Sequence, residues 1–266
     1  MTEKLDLLWL NIRELPYFRG LLRAVEGRFY QDLPLAAPTL DLGCGDGQFA
    51  QITFPRKLEM GVDPWFGPLR EAAQRRNYAV LVQAYGQRIP APDNSFASAL
   101  SNSVLEHIPE VQPVLNDLAR VLKPGATFYF CVPNHNFDHN LSIARFLERI
   151  GLKNLAAAYR RWFDRIARHV HLDDPVTWQG RIEQAGLQMV QHWNYFSPRA
   201  LGILEWGHYF GLPAWASKMI FNRWIIEEGR WNLFLTRLIV NPAWKEAQPQ
   251  PDGVCTFFIC QKPEIP

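Results

Sequence analysis

The chain has 266 residues, room for one α/β domain with additions, and 48% of them are hydrophobic. Its 28 Lys and Arg stand against 26 Asp and Glu, and this net charge of +2, with no Lys/Arg-rich run, argues against nucleic acid as a partner. The opening Met1-Thr-Glu-Lys-Leu-Asp6 has no basic segment followed by an apolar block, and no charge-free run is long enough to span a bilayer. A cytoplasmic or membrane-peripheral protein is therefore expected. Cys44, Cys131, Cys255 and Cys260 show no zinc-like pairing and read as free thiols in a reducing compartment.

Residues 1–37 read as an N-terminal helical segment. Leu5 to Tyr30 carries apolar residues at mixed three- and four-residue spacing, with Arg13, Arg19, Arg23 and Arg28 between them. Pro34 to Pro38 links it to a first strand, Thr39–Leu42, which runs into Gly43-Cys-Gly-Asp-Gly47 and then helix-compatible sequence. Glycine permits positive φ and lets a ligand approach the backbone. A glycine loop between strand and helix is how α/β folds cradle a nucleotide at the carboxyl edge of the sheet. The spacing is G-x-G-x-G, not the G-x-G-x-x-G of dinucleotide dehydrogenases. A second apolar run, Leu58 to Asp63, ends on an acid placed where a carboxylate can hold both hydroxyls of a ribose.

Further strands are expected over 80–84, 95–101 and 127–132, alternating with helices over 66–76 and 111–122. Pro124-Gly125 should stop the last of these helices. Asn134 to Asn140 reads as a polar loop and Leu141 to Val170 as Arg-rich helices. Asp173-Asp-Pro175 opens a helix over 176–185 that Gly186 ends. Strands over 187–195 and 254–260 complete the pattern. The alternation predicts an α/β fold: a doubly wound, Rossmann-like, mostly parallel seven-stranded sheet with helical insertions.

Between the last two strands lies an insert, residues 197–251. It holds Trp206, Trp215, Trp224, Trp231 and Trp244, half of the chain's ten tryptophans, and is too apolar for disorder. Three readings stay open: a helical pair packed on the core, a lid over an apolar substrate pocket, or a surface resting on a membrane.

Leu40 to Phe49 resembles motif I of the class I S-adenosylmethionine (SAM)-dependent methyltransferases, and Gly61-Val-Asp-Pro64 resembles their ribose-binding strand end. Ile89-Pro90…Asn94-Ser-Phe96, Val104-Leu-Glu-His107 and Arg120-Val-Leu-Lys-Pro-Gly125 follow in the order of the methyltransferase type 11 branch. The resemblance covers roughly 38–133. It implies SAM as the cofactor, bound by Asp41, Gly43, Cys44, Gly45, Gly47, Asp63, Pro64, Tyr85, Gly86, Gln87, Ser101 and Asn102, without a metal. It also implies a last strand antiparallel to its neighbours and a SAM-binding domain built from 38–196 and 252–262. Two positions depart from the family: Tyr85 stands where an adenine-contacting Asp is usual, and Phe96-Ala97 replaces a Phe-Asp pair.

With SAM as cofactor, the protein's main task is to align an acceptor, helped by a base of near-neutral pKa. His107, after the fourth strand, and His135 and His139, after the fifth, are the candidate bases at the carboxyl edge. His169-x-His171, near Asp173 and Asp174, has a metal-like look, but two residues on one strand face without further ligands read as structural. The expected function is methyl transfer to a small-molecule or lipid-like acceptor, apolar and entering beneath 198–245, with peripheral membrane contact. Two alternatives stay open. One is a methyltransferase fold that binds a partner without catalysis. The other is an NAD-dependent oxidoreductase, for which the third glycine stands one residue too early.

Overall fold

The computed structural model describes residues 5–31, 33–210 and 212–264. The N-terminal segment forms α1 (Leu7–Ile12), capped by the Asp6 carboxylate on the Trp9 amide, and α2 (Tyr17–Gln31). Then follow β1 (Thr39–Leu42), α3 (Gln48–Thr53), β2 (Leu58–Asp63), α4 (Phe66–Arg75), β3 (Tyr78–Gln83), β4 (Phe96–Asn102), α5 (Val111–Val121) and β5 (Leu122–Pro133). The second half runs α6 (Asn136–His139), α7 (Ser142–Arg149), α8 (Lys153–Ala167), α9 (Pro175–Gln184), β6 (Gln188–Tyr195), α10 (Pro198–Phe210), α11 (Leu212–Phe221), α12 (Phe234–Trp244) and β7 (Cys255–Gln261).

The seven strands form one sheet in the order β3-β2-β1-β4-β5-β7-β6, and only β7 runs antiparallel to its neighbours. The winding reverses between β1 and β4, so their carboxyl ends open a crevice of the kind in which α/β sheets hold ligands. The pleat sends alternate side chains to two cores. Phe128, Phe130 and Val132 of β5 join Leu115 and Leu118 of α5 and Trp178 of α9. Tyr129 and Cys131 face the other way, with Leu21 and Val25 of α2, Leu201 of α10 and Val240 of α12. Helices α10 and α12 are thus anchored on one side. A Cβ on Gly207 would fall 2.4 Å from Phe18 Cβ, so glycine is what lets α10 close on α2.

Three local expectations need correction. Helix α5 ends at Val121 and β5 begins at Leu122, so Pro124-Gly125 lies inside the strand rather than stopping the helix; Lys123, preceding a proline, is already biased toward extended backbone. The polar loop after Pro133 contains the helical turn α6, because buried Asn134 takes the Asn136 amide on its side-chain oxygen at 2.9 Å. Among its described residues the insert has three helices rather than a pair.

One buried acid ties these layers together. Glu26 on α2 accepts from Arg23 Nη1 (2.7 Å), Asn102 Nδ2 (2.6 Å), Ser103 Oγ (2.8 Å) and Tyr195 OH (3.0 Å). Deleting one partner of such a buried pair strands the other charge. Glu26→Ala is expected to lower the unfolding free energy by about 3 kcal/mol. The reading is a lower denaturant midpoint at unchanged slope.

Candidate active site

The loop after β1 is stitched to β2: the amides of Gly43 and Cys44 donate to Val62 O at 2.8 and 3.1 Å. Gly43 (φ 78°) and Gly45 (φ 54°) are both left-handed. A Cβ on Gly43 would lie 2.5 Å from Val104 Cγ1, whereas one on Gly45 would meet nothing within 4 Å, so that stretch of backbone is open to a ligand. Asp63, ending β2, accepts the Gly45 amide on Oδ2 (3.0 Å) and the Trp65 amide on Oδ1 (2.9 Å). Its carboxylate is fixed in direction, and in turn fixes the loop.

Asp41 is buried beneath the loop, with Tyr78 OH donating to it at 2.6 Å. Burial raises its pKa to about 7; the Asp63 charge adds to the rise and the Tyr78 hydrogen bond opposes it. Asp63 is also raised, chiefly by burial, with Asp46 contributing. Acids that push one another up around a crevice fit a cationic ligand.

Three cavities meet at this edge. One of about 650 Å³ is bounded by Gly43, Asp63, Pro64, Tyr85, Gly86 and Gln87. A second, of about 530 Å³, lies between Arg19, Arg23, Asp41, Cys44, Gly45, Asn102 and Trp224. The third, of about 490 Å³, is walled by Phe18, Leu22, Phe137, Ile166, Leu204 and His169. His107 lines all three. The exposed Tyr85 lines the same cavity as Asp63.

Other expected residues stand elsewhere. Ser101 is buried and its hydroxyl donates to Leu42 O at 2.9 Å, so it stitches β4 to β1 instead of facing the crevice. Gly47 (φ 72°) precedes α3, packed against Tyr78, Ala72 and Asn77, and lines none of the three cavities. His135 and His139 are exposed around α6 and also line none of them. The two imidazoles of His169-x-His171 have separate surroundings. His171 Nε2 donates to Ile108 O at 2.9 Å, while His169 stacks 5.9 Å from His107.

His107 is oriented by its backbone contact. Nδ1 lies 2.9 Å from Arg168 O, and since a carbonyl only accepts, the proton sits on Nδ1 and Nε2 keeps its lone pair. Burial holds its pKa below the usual histidine value, which leaves the ring neutral at pH 7. Neighbouring Glu106 is only 2% exposed; Oε1 is 3.6 Å from His107 Nε2 and Oε2 has no hydrogen-bond partner among the described residues. Burial pushes its pKa to about 8, so it too is neutral at pH 7. His169 falls to about 3, through burial first and then the nearby His107 and His208. Arg19 faces the second and third cavities over the Trp224 ring (5.6 Å) and has no ion pair among the described residues. Sequence reasoning missed Arg19, Arg23, Ser103 and Glu106 as site residues. The available signal was that Ser103 and Glu106 flank or lie in the Val104–His107 motif.

A family model described as a methyltransferase domain matches residues 40–130. Trans-aconitate 2-methyltransferase of Sinorhizobium fredii is 29% identical over 198 residues, 72% of this chain and 74% of that protein. The chain is a class I SAM-dependent methyltransferase. Its cofactor is SAM. A tRNA (carboxymethyluridine(34)-5-O)-methyltransferase of Schizosaccharomyces pombe is 30% identical, but over 36% of this chain and 41% of its own length. The fold matches solved structures at low identity. Geranyl diphosphate C-methyltransferase from Streptomyces coelicolor superposes with a TM-score of 0.53 at 11% identity, covering 90% of this chain and 76% of that one. The [4+2]-cyclase SpnF gives 0.54 at 14%, covering 92% and 82%. The fold therefore does not by itself fix the reaction.

Two outcomes are expected at this site. Asp63→Ala should weaken SAM binding by about 2–3 kcal/mol, roughly 30- to 150-fold, in calorimetric titration. Unchanged affinity would place the ribose elsewhere. Glu106, with a folded pKa above its unfolded value of 4.5, stabilises the protein fully below pH 4.5, and that contribution is lost as pH rises through about 8. Glu106→Gln cannot ionise, so its melting temperature should decline less than the wild type's between pH 5 and 8.

Proposed function

We propose that the chain methylates a small, largely apolar acceptor held in the cavity between α2, α8 and α10, with His107 as the general base. SAM, when bound, supplies an electrophilic methyl group on a sulfonium. Asp63 would take the ribose hydroxyls, with Tyr85, Gly86 and Gln87 beside the adenine. Asp41 and Arg19 offer an acid and an unpaired cation to the two charged ends of the methionine moiety. The acidic loop and the open backbone at Gly45 fit such a ligand.

His107 carries the reading. Among the described residues it is the one shared by the two cofactor-side cavities and the third, and its free lone pair on Nε2 is the group that would accept the acceptor's proton. Phe18, Leu22, Phe137, Ile166 and Leu204 supply an apolar wall for the acceptor's body. Leu204 belongs to the insert, and Trp224 closes the methionine-side cavity, which supports the insert as part of the acceptor site. Relatives named for trans-aconitate and a fold neighbour named for geranyl diphosphate are consistent with a small acceptor. The tRNA relative overlaps too little of the chain to speak for its acceptor side.

His107→Ala should reduce kcat about a hundredfold or more while SAM affinity stays unchanged. In the wild type, kcat/KM should fall as pH drops below the lowered His107 pKa, since only the neutral ring accepts a proton. That acid limb should be absent in the variant. A variant with wild-type kcat and the same acid limb removes His107 from the reaction.

A further inference from the structure

Outside the crevice, the largest unexplained feature is a surface that is both apolar and basic. Among the described residues, 12 exposed large apolar side chains lie between 206 and 239, and another six between 146 and 166. Where such side chains lie together they mark an interaction site. The α7–α8 hairpin is ordered in a particular way. Phe146 on α7 and Ile150 at its C-terminal cap are exposed four residues apart, directly beside exposed Arg145 and Arg149. Trp162 and Ile166 on α8 repeat the arrangement beside exposed Arg161 and Arg165. Four-residue spacing stacks each pair on one helix face, so each helix carries an apolar stripe next to a basic one. These four arginines make no ion pair or side-chain hydrogen bond among the described residues. Residues 142–168 hold seven Arg and Lys against two acids, although the whole chain is only +2.

The hairpin is continuous with the insert. Trp162 stacks on Tyr209 (5.9 Å, 10°), Tyr209 meets Trp206 edge-on (5.9 Å), and Trp206 stacks on Phe210 (6.0 Å, 21°). The Trp206 indole also donates to Ser142 Oγ at 3.1 Å, at the start of α7. Beyond this aromatic seam, Met219, Ile220 and Phe221 end α11 exposed. No described helix is long and apolar enough to cross a membrane.

We propose that the α7–α8 hairpin and the adjoining α10–α11 insert form a face that docks on an anionic lipid bilayer. A plane of lipid phosphates meets every unpaired cation without requiring acids at matched positions, while aliphatic tips enter the acyl boundary and the Trp-Tyr seam lies at headgroup level. Nucleic acid would satisfy the arginines but leave the aliphatic side chains against charge. A symmetric second copy would set this basic face against itself. The end of α8 (Ile166 to Arg168) and α10 (Leu204, His208) also line the third cavity, so docking brings that cavity beside the membrane. The docking itself does not depend on which acceptor is methylated.

The test is sedimentation of the full chain with phosphatidylcholine vesicles and with vesicles containing phosphatidylglycerol, scored without turnover. Salt-sensitive co-sedimentation with the phosphatidylglycerol vesicles is expected. Arg145→Glu/Arg149→Glu/Arg161→Glu/Arg165→Glu should reduce it about tenfold or more. Phe146→Ser/Ile150→Ser/Met219→Ser/Ile220→Ser should abolish it. Both variants change exposed side chains, and a thermal shift with S-adenosylhomocysteine equal to the wild type's confirms that each is folded. Wild-type protein that ignores both vesicles overturns the proposal, as does equal binding to both vesicle types. A concentration-dependent dimer that the serine variant disrupts, without vesicle binding, would assign the face to a second copy instead.

Discussion

The buried Glu26 carboxylate is the constraint on which the site depends. A carboxylate removed from water needs its lone pairs filled, and here the four donors come from α2, the end of β4, the residue after it and β6. Satisfying the acid therefore assembles the crevice. Ser103 stands at φ 52°, a left-handed value uncommon for a non-glycine residue, its hydroxyl tied to Glu26, and this turns the chain into Val104–His107. On α2, positions 19, 23 and 26 share one face, so the contact that anchors Arg23 also presents Arg19 to the cavities. The N-terminal segment thus helps wall the crevice.

The parts legible in the sequence are those whose signals are local. Glycine spacing and the alternation of strands and helices placed the loop after β1 and the sheet, and Asp63 at the end of β2 does line the crevice; the antiparallel β7 followed from the family resemblance rather than from a local signal. Ser101 and Asn102 show the limit of a motif taken without its pleat. Neighbouring strand residues point to opposite faces, so only one of them could line the cavity, and it is Asn102. The third cavity was out of reach. Its walls come from Phe18, His107, Phe137, Ile166 and Leu204, each on a different element, and no local pattern links them. The insert's composition announced an apolar surface, but which side chains stay outside depends on how α10 and α12 pack on α2.

The insert packs on the core on one side only: Trp231 is 78% exposed and Ile220 is 72% exposed. Yet Leu201 and Leu204 of the same insert are buried against α2, and Trp224 covers Arg19. One segment therefore serves two environments, with its inner side closing the site and its outer side unsatisfied. That division explains why its tryptophans are so many. An indole tolerates a boundary between apolar and polar surroundings better than an aliphatic side chain does.

Charge inside the crevice is arranged in the same two-sided way. Asp41, Asp46 and Asp63 gather around the glycine loop, Arg19 and Arg23 face them from α2, and of the groups lining the third cavity His107 and Glu106 are neutral at pH 7. Neutrality there is what base catalysis beside a cation demands. A charged imidazolium would repel the cofactor and have no lone pair to offer. In the proposed reaction His107 gains a proton in the same event that removes positive charge from sulfur, so the crevice carries one cationic charge before and after. The acids need not rearrange to follow it, and the reorganisation that would otherwise oppose the transfer stays small.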